Sequence, residues 1–230
     1  MDLSCPIPQD PSDCITIGHG GGGRLSQRLL EEIFLPAFGT MGPENALDAF
    51  TLEAGPGRLA FTTDSHVVHP LFFPGGDIGK LAVCGTVNDL AMSGARPRWL
   101  SVGFILEEGL PTETLRKVVA SMAATAKAAG VSIVAGDTKV VERGKADGLY
   151  LTTAGIGTVA GEVELVPGGI RPGDAVIVSG DIGRHGMAIM AQREGLAFDA
   201  PLVSDCAPLH EAVQDLLAAR LPVRCLRDCT

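Results

Sequence analysis

Asp77-Ile-Gly-Lys-Leu-Ala-Val-Cys-Gly-Thr-Val-Asn-Asp-Leu-Ala-Met-Ser-Gly94 is the stretch that says most about the fold. Its apolar residues recur at helical spacing and Gly94 is a typical helix stop, so the stretch predicts a helix over residues 77–93. Asp89 lies one turn beyond Gly85 and two turns beyond Ala82, on the small and apolar side of that helix. A carboxylate that faces packed surroundings must be paired or bind a metal ion. Because Gly85 has no side chain, we expect room for a ligand beside Asp89.

Two further aspartates have similar surroundings, Asp64 in Phe61-Thr-Thr-Asp-Ser65 and Asp137 in Ala135-Gly-Asp-Thr-Lys139. We predict that each aspartate lies at the end of a structured segment, next to small or hydroxyl residues. Carboxylate oxygens suit Mg²⁺, and small residues let the backbone approach phosphate oxygens. With the glycine run at 20–23, the three carboxylates predict one shared site for Mg²⁺ and a polyphosphate, within about 12 Å of one another. The alternative for any one of them is an ordinary turn or helix cap.

The composition limits the class of protein. The 230 residues suit one large domain or one and a half, and 46% hydrophobic with 20% charged residues is typical of a globular chain. A net charge of −9 argues against nucleic acid or an anionic membrane as the main partner. The six cysteines form no C-x-x-C pair, and the sequence contains neither a signal pattern nor a membrane-length apolar run. We therefore expect a cytoplasmic protein with reduced thiols.

We expect the chain to divide into a flexible arm at 1–14, a first domain at 15–165 that binds ATP and forms dimers, and a partial second domain at 166–230. A turn-forming cluster, Val166-Pro-Gly-Gly-Ile-Arg-Pro-Gly-Asp174, marks the boundary. Strands are predicted at 15–17, 58–64, 98–107, 131–136, 148–161 and 175–179. Helices are predicted at 25–38, at 77–93 and at 112–129, the last with Thr112 as its cap. Two more are predicted in the second domain, one from the Gly-rich turn at 180–186 to about residue 194 and one from about 208 to 220.

Extended strings of this sequence resemble the HypE family, the carbamoyl dehydratases of nickel–iron hydrogenase maturation. The longest string runs from residue 70 to residue 97; it begins with Pro70-Leu-Phe-Phe-Pro-Gly-Gly, includes the predicted helix at 77–93 and ends with Gly94-Ala-Arg-Pro97. Two shorter strings are Phe104-Ile-Leu-Glu-Glu-Gly-Leu-Pro111 and Gly136-Asp-Thr-Lys-Val-Val141. Val203-Ser-Asp-Cys-Ala207 and Leu226-Arg-Asp228 also match. This family belongs to the superfamily of aminoimidazole ribonucleotide synthetase and selenophosphate synthetase. The resemblance implies an α+β fold: a first domain with a mixed sheet flanked by helices, which forms a homodimer, and a second α+β domain, here incomplete.

The resemblance also implies an ATP-dependent enzyme that dehydrates a cysteine thiocarbamate to a thiocyanate, the source of the iron-bound cyanide. Carried over by motif, the metal ligands are Asp64, Asp89 and Asp228, with Asp137 as a fourth carboxylate. The residues implied near the nucleotide are Gly20, Gly21, Gly22, Gly23, Lys80, Asn88 and Asp137. Lys139 is the implied catalytic residue, because a lysine amine can move a proton when it is desolvated. The implied partners are a HypF-like carbamoyltransferase and a HypC/HypD-like scaffold that carries the iron.

One departure from the family pattern concerns the end of the chain. Family members continue for roughly 100 residues, about a domain, beyond the segment that matches Asp228, and end in the acceptor cysteine. This sequence ends at Thr230, and the surroundings of Cys229 do not match that tail. We therefore expect a shortened and inactive form. Two alternatives remain open: another ATP-using superfamily member such as selenophosphate synthetase, and a non-catalytic module that forms dimers or binds a partner.

Overall fold

The computed structural model describes residues 14–21, 23–39, 55, 57–159, 165, 169–196 and 202–228, so residues 1–13 of the expected flexible arm lie outside the described part. Its helices are α1 (Arg24–Leu29), α2 (Leu35–Phe38), α3 (Ile78–Met92), α4 (Thr112–Ala128), α5 (Arg184–Glu194) and α6 (His210–Ala218). Its strands are β1 (Arg58–His66), β2 (Phe72–Phe73), β3 (Gly76–Asp77), β4 (Ala95–Glu107), β5 (Ser132–Val141) and β6 (Leu149–Val159). A 3₁₀ turn (Ile17–Gly20) precedes α1, and a π-helical turn (Leu30–Phe34) joins α1 to α2. No helix in these ranges is long and apolar enough to cross a membrane.

Four of the strands form one mixed sheet in the order β1-β6-β4-β5. Strand β6 pairs antiparallel with β1 and with β4, whereas β4 and β5 are parallel and are connected through α4. The other two strands form a small hairpin in front of α3. The α+β class with a mixed, helix-flanked sheet, predicted from the family resemblance, is confirmed.

The two faces of the sheet differ in what covers them. On one face, the helices α3 and α4 pack over buried side chains of the strands, which are Leu100, Val102, Phe104, Leu106, Leu149 and Leu151. The opposite face, called the open face below, carries Leu59, Phe61, Trp99, Ile105, Tyr150 and Ile156. On this face Phe61 is 69% exposed. One side of the sheet therefore forms the core, while the other presents apolar side chains to its surroundings.

The helix predicted over residues 77–93 forms as α3, and its first turn is capped by its own sequence. Asp77 precedes the helix, and its Oδ1 accepts hydrogen bonds from the backbone N–H groups of Gly79 (2.7 Å) and Lys80 (3.1 Å). Two otherwise unpaired donors of the first turn are thereby satisfied. After the helix ends, Gly94 has a φ of 75°, a conformation that glycine adopts without strain.

Two other predicted boundaries are wrong. Thr112 is the first residue of α4 and does not cap it, because the backbone carbonyl of Pro111 already accepts the N–H of Thr114 (3.0 Å). Strand β5 continues past Gly136 to Val141, because residues 137–141 keep pairing with β4. Asp137 therefore lies inside a strand and not at its end.

Two predicted short strands do not form in the described part of the chain. Residues 15–17 lead into the 3₁₀ turn, where the N–H of Thr16 donates to Nδ1 of His19 (3.0 Å) and closes the backbone on itself. Residues 175–179 lie in irregular backbone, and Val176 is 92% exposed. A strand needs a neighbour to share its backbone hydrogen bonds, and no described strand lies beside this segment.

The described residues 169–196 and 202–228, called the C-terminal part below, pack against α3 and the β2–β3 hairpin through specific hydrogen bonds. The side-chain amide of Gln214, on α6, donates to the carbonyls of Gly94 (3.4 Å) and Ala95 (3.3 Å). The Arg193 guanidinium, on α5, donates from two nitrogens to the carbonyl of His69 (2.7 and 3.2 Å). The two parts of the chain therefore meet along a polar contact with defined partners.

Gly79 offers a test of how closely α3 packs against α4. A Cβ atom at this position would lie 2.5 Å from the carbonyl oxygen of Val118 and 2.7 Å from Cγ of Met122. We expect Gly79→Ala to lower the free energy of unfolding by about 1–3 kcal/mol, measured by urea denaturation. Gly186, on α5, is the matched control, because a Cβ there meets nothing within 4 Å. Gly186→Ala should raise stability by about 0.4–1 kcal/mol, and a similar rise for Gly79→Ala would contradict the packing.

Candidate functional site

Asp64, near the end of β1, is held by its neighbours in a defined orientation. The backbone N–H of Ser65 donates to Asp64 Oδ1 at 2.8 Å, and Nε2 of the buried His66 lies 3.4 Å from Asp64 Oδ2. Burial lowers the pKa of His66, and the Asp64 carboxylate partly offsets this effect. A Cβ on Gly85 would lie 3.0 Å from Asp64 Oδ2. The space that Gly85 leaves is thus occupied by the Asp64 carboxylate.

Asp89, one turn before the end of α3, faces β1. The hydroxyl Oγ1 of Thr62 donates to Asp89 Oδ2 at 2.9 Å. Burial raises the pKa of Asp89 and the Thr62 hydrogen bond lowers it, while the nearby carboxylates of Asp228 and Asp64 raise it further. Asp89 and Asp228 also line a common cavity of about 350 Å³. Asp89 is therefore close to both Asp64 and Asp228, and these three residues are called the carboxylate group below.

The carboxylate group is not a closed metal cage by itself. Among the described residues, no three His, Cys, Asp or Glu side chains are placed so that they could hold one ion. The electrostatic effect on Asp89 nevertheless requires its two neighbours to be near. Asp89 and Asp228 line the smaller cavity, and Asp64 is near enough to Asp89 to raise its pKa.

A second and larger cavity lies at the β5 edge of the sheet. It has a volume of about 560 Å³, and its polar part includes Gly20, Gly21, Asp137 and Lys139. Its apolar part consists of side chains from the first helices and from β4 and β5, which include Leu29, Leu30, Phe34, Leu35, Phe38, Val102, Phe104 and Ile133. The N-terminal glycine run and the Asp137 segment therefore meet, as the sequence predicted for a phosphate site.

In the glycine run at 20–23, close packing requires a glycine at one position and not at another. A Cβ on Gly20 would lie 2.8 Å from the backbone nitrogen of Val140, so Gly20 is required by the close approach of the turn to β5. A Cβ on Gly23 would meet nothing within 4 Å, so packing does not require a glycine there. Gly22 lies outside the described residues.

Within one chain, the structure does not bring Asp137 to the carboxylate group. Asp64 pairs with Thr153, Thr153 with Val102, and Val102 with Gly136, the residue before Asp137. Three strand spacings correspond to about 14 Å, and successive residues of a strand point to opposite faces. Asp137 and Lys139 therefore lie on the open face at the opposite edge from Asp64. The expectation that Asp64, Asp89 and Asp137 converge is wrong for a single chain.

Lys80 and Asn88, which the family resemblance places near the nucleotide, make other contacts in this structure. The Lys80 amine donates to the carbonyl of Gly75 at 2.8 Å. The Asn88 amide donates to the carbonyl of Ala207 (3.1 Å) and accepts the N–H of Leu209 (2.8 Å). Asn88 therefore joins α3 to the C-terminal part of the chain.

Sequence reasoning missed Thr62 and His66, which orient Asp89 and Asp64 respectively. The sequence did contain a signal for both residues. Alternate residues of a strand lie on one face, so a strand through Asp64 places Thr62 and His66 on the same face as Asp64. The contribution of Asn88 to the C-terminal contact had no comparable signal, since its partners are more than 100 positions away in the sequence.

Comparisons with known proteins agree with this architecture. Residues 47–159 match the family described as AIR synthase related protein, N-terminal domain, and residues 171–230 match the corresponding C-terminal domain. The carbamoyl dehydratase HypE of Cupriavidus necator is 51% identical over 218 residues, which are 94% of this chain and 62% of that protein.

Solved structures give the same result. A crystal structure of the hydrogenase maturation protein HypE in complex with ATP superposes with a TM-score of 0.88 at 49% identity, covering 93% of this chain and 63% of that one. The HypE chain of a HypE–HypF complex has a TM-score of 0.73 at 51% identity, with 87% and 65% coverage. The chain spans less than two thirds of these relatives. By sequence and by fold, the chain belongs to the AIR synthase related family, and it is similar to HypE proteins of that family.

Proposed function

We propose that this chain contributes to the ATP-dependent dehydration of a cysteine thiocarbamate to a thiocyanate, which supplies the cyanide ligands of hydrogenase iron. The observation that carries the proposal is the carboxylate group, in which neighbouring charges and burial raise the pKa of Asp89. A half-buried carboxylate with two other carboxylates nearby is a common arrangement in sites that bind cations and phosphates. The ATP complex of a related HypE supports a nucleotide as the second substrate.

The reaction balances as the transfer of one oxygen from carbon to phosphorus. The thiocarbamate carbonyl oxygen attacks the γ-phosphorus of ATP and ADP leaves. The C–O bond then breaks, phosphate leaves, and the nitrogen loses its protons as the C≡N bond forms. A basic group close to the nitrogen assists that loss, and Lys139 is the candidate.

Mg²⁺ fits the carboxylate group. A bound cation would relieve the repulsion that raises the pKa of Asp89, and carboxylate oxygens are its preferred ligands. Asp64, Asp89 and Asp228 would each supply oxygen ligands to bound Mg²⁺, and phosphate oxygens would complete the coordination, because no three described acidic, histidine or cysteine side chains are placed to hold one ion by themselves. When bound, the Mg²⁺ would neutralise phosphate charge in a chain of net charge −9. Thr62 fixes the orientation of the Asp89 carboxylate, and His66 lies beside that of Asp64.

The glycines at positions 20 to 23 would contribute backbone N–H groups to phosphate oxygens near Asp137. Asp137 and Lys139 lie on the open face, away from the carboxylate group of the same chain. We propose that a second copy of the chain covers the open face and forms a homodimer. The site would then combine the carboxylate group of one copy with the β5 edge of the other.

The proposed protein partners follow from the family. A solved complex of a related HypE contains HypF. We propose that a HypF-like carbamoyltransferase delivers the carbamoyl group to this chain as well, and that a HypC/HypD-like scaffold receives the cyanide. Because the chain spans 62% of its relative from Cupriavidus necator, the acceptor cysteine is best supplied in trans when the activity is tested.

The test uses the purified chain, ATP, Mg²⁺ and a short peptide that ends in S-carbamoylcysteine. We expect ATP binding by calorimetry that requires Mg²⁺. Mass spectrometry should find no thiocyanate on the chain's own cysteines, in line with the inactive form expected from the sequence, but should find loss of one water from the peptide when it supplies the acceptor. Binding without dehydration would support the nucleotide site and reject the catalytic part of the proposal. Absence of Mg²⁺-dependent binding would reject the proposed site and favour a module that only binds partners.

A further inference from the structure

Two cysteines that the proposed reaction does not use lie on opposite sides of the contact between α3 and the C-terminal part. Cys84 is on α3 and is 1% exposed, whereas Cys206 is half-buried in the segment 204–209. The N–H of Ser204 donates to the carbonyl of Pro74 at 2.8 Å, which holds the start of this segment beside the hairpin that leads into α3.

The end of the segment is held by Asn88, one helical turn after Cys84 and therefore on the same face of α3. The Asn88 amide binds both Ala207 and Leu209, so that Cys206 lies between two anchored points. Cys84, one turn before Asn88, and Cys206, between these anchored points, therefore lie next to each other, and each thiol affects the pKa of the other.

The charged surroundings make the two thiols unequal. The hydrogen bond from the Cys84 thiol lowers the pKa of Cys206, and the Lys80 ammonium lowers it further, against the opposing effects of burial and of Asp205 and Asp77. The same hydrogen bond and burial raise the pKa of Cys84. A half-buried thiol with a lowered pKa next to a buried thiol is the usual arrangement of an oxidisable pair.

We propose that Cys84 and Cys206 form an oxidisable dithiol whose disulfide covalently ties residues 204–209 to α3. With hydrogen peroxide as the oxidant, the Cys206 thiolate attacks one peroxide oxygen, the O–O bond breaks and, after one proton is taken up, water leaves. This leaves a sulfenic acid on Cys206. The Cys84 sulfur then attacks the Cys206 sulfur, the S–O bond breaks, and a second water carries the thiol proton away. A dithiol reductant reverses the bond by exchange.

The disulfide would fix the relative position of two members of the carboxylate group. Asp89 lies on α3, directly after Asn88, and Asp228 lies in the C-terminal part. The inference itself does not depend on the proposed dehydration, because it concerns only the reactivity of the two thiols.

The test treats the reduced chain with hydrogen peroxide and analyses unreduced peptides by mass spectrometry. We expect one peptide pair linked through Cys84 and Cys206, lighter by two hydrogens than the separate peptides and released by dithiothreitol. Cys206 should react about tenfold or more faster than Cys225, which is also half-buried. Amide hydrogen exchange at Leu209 should slow in the oxidised chain.

Three variants separate the roles of the cysteines. Cys84→Ala should stop at a sulfenic acid on Cys206, which a 1,3-diketone reagent traps, and Cys206→Ala should abolish both the link and the fast reaction. Cys225→Ala should form the link as the unmodified chain does. Peroxide treatment of the unmodified chain that gives no link, or that modifies Cys206 no faster than Cys225, would overturn the proposal whether or not the variants fold.

Discussion

Replacing Asp89 by Asn is expected to weaken Mg²⁺-dependent ATP binding and turnover by about 10²–10³-fold, a loss typical of removing one preorganised electrostatic group. The change removes a charge from the carboxylate group but keeps an oxygen that can accept the Thr62 hydroxyl. The local geometry should therefore persist, and the loss should reflect the missing charge.

The same substitution should stabilise the chain in the absence of nucleotide. The pKa of Asp89 in the folded state is raised above its unfolded value, so the folded state binds more protons between the two values. Stability from this group is therefore lost as pH rises through that window, and the penalty is complete at neutral pH. An amide has no such penalty. If Asp89→Asn raises the midpoint of thermal unfolding at pH 7 and loses ATP binding, then Asp89 lowers the stability of the chain and serves its function.

Asp147→Asn is the matched control, because Asp147 is an exposed acid in the loop before β6. It should change neither ATP binding nor the unfolding midpoint. If Asp89→Asn bound ATP and Mg²⁺ as well as the unmodified chain, the carboxylate group could not be the cation site. If it unfolded at a lower temperature, burial and the neighbouring carboxylates would not be the dominant effects on Asp89.

A single charge on the open face is expected to convert the proposed dimer into a monomer. Phe61 is 69% exposed on β1 and Ile105 is 37% exposed on β4, and both lie on the face that we propose a second copy covers. Burying an aspartate there without a partner costs several kcal/mol, so Phe61→Asp or Ile105→Asp should weaken association by about a hundredfold or more. Light scattering at micromolar concentration should change from the mass of two chains to that of one.

Val176→Asp is the control for this experiment. Val176 is 92% exposed and lies outside the sheet, so the dimer should persist in this variant. Ile105 is included because Phe61 also lines the smaller cavity, and Ile105 does not. A monomeric mass for the unmodified chain would reject the proposed dimer directly. A dimer that tolerates both sheet variants would place its interface elsewhere.

The sequence by itself determined the local structure around α3. The apolar spacing and the terminal glycine of the 77–94 stretch predicted the helix to within one residue at each end, because helix limits depend on neighbours only a few positions away. The family and the α+β class also followed from the sequence, since long identical strings are specific. The placement of Asp89 on a packed face was also a consequence of helical periodicity alone.

The tertiary structure alone decided which of the predicted site residues meet. Asp64 and Asp137 have similar neighbours in sequence, yet they lie at opposite edges of the sheet because β6 and β4 insert between their strands. The contact between Cys84 and Cys206, and the binding of Asn88 to Leu209, likewise join residues more than 100 positions apart. Strand order and the docking of the C-terminal part depend on the packing of the whole chain, which no local pattern encodes.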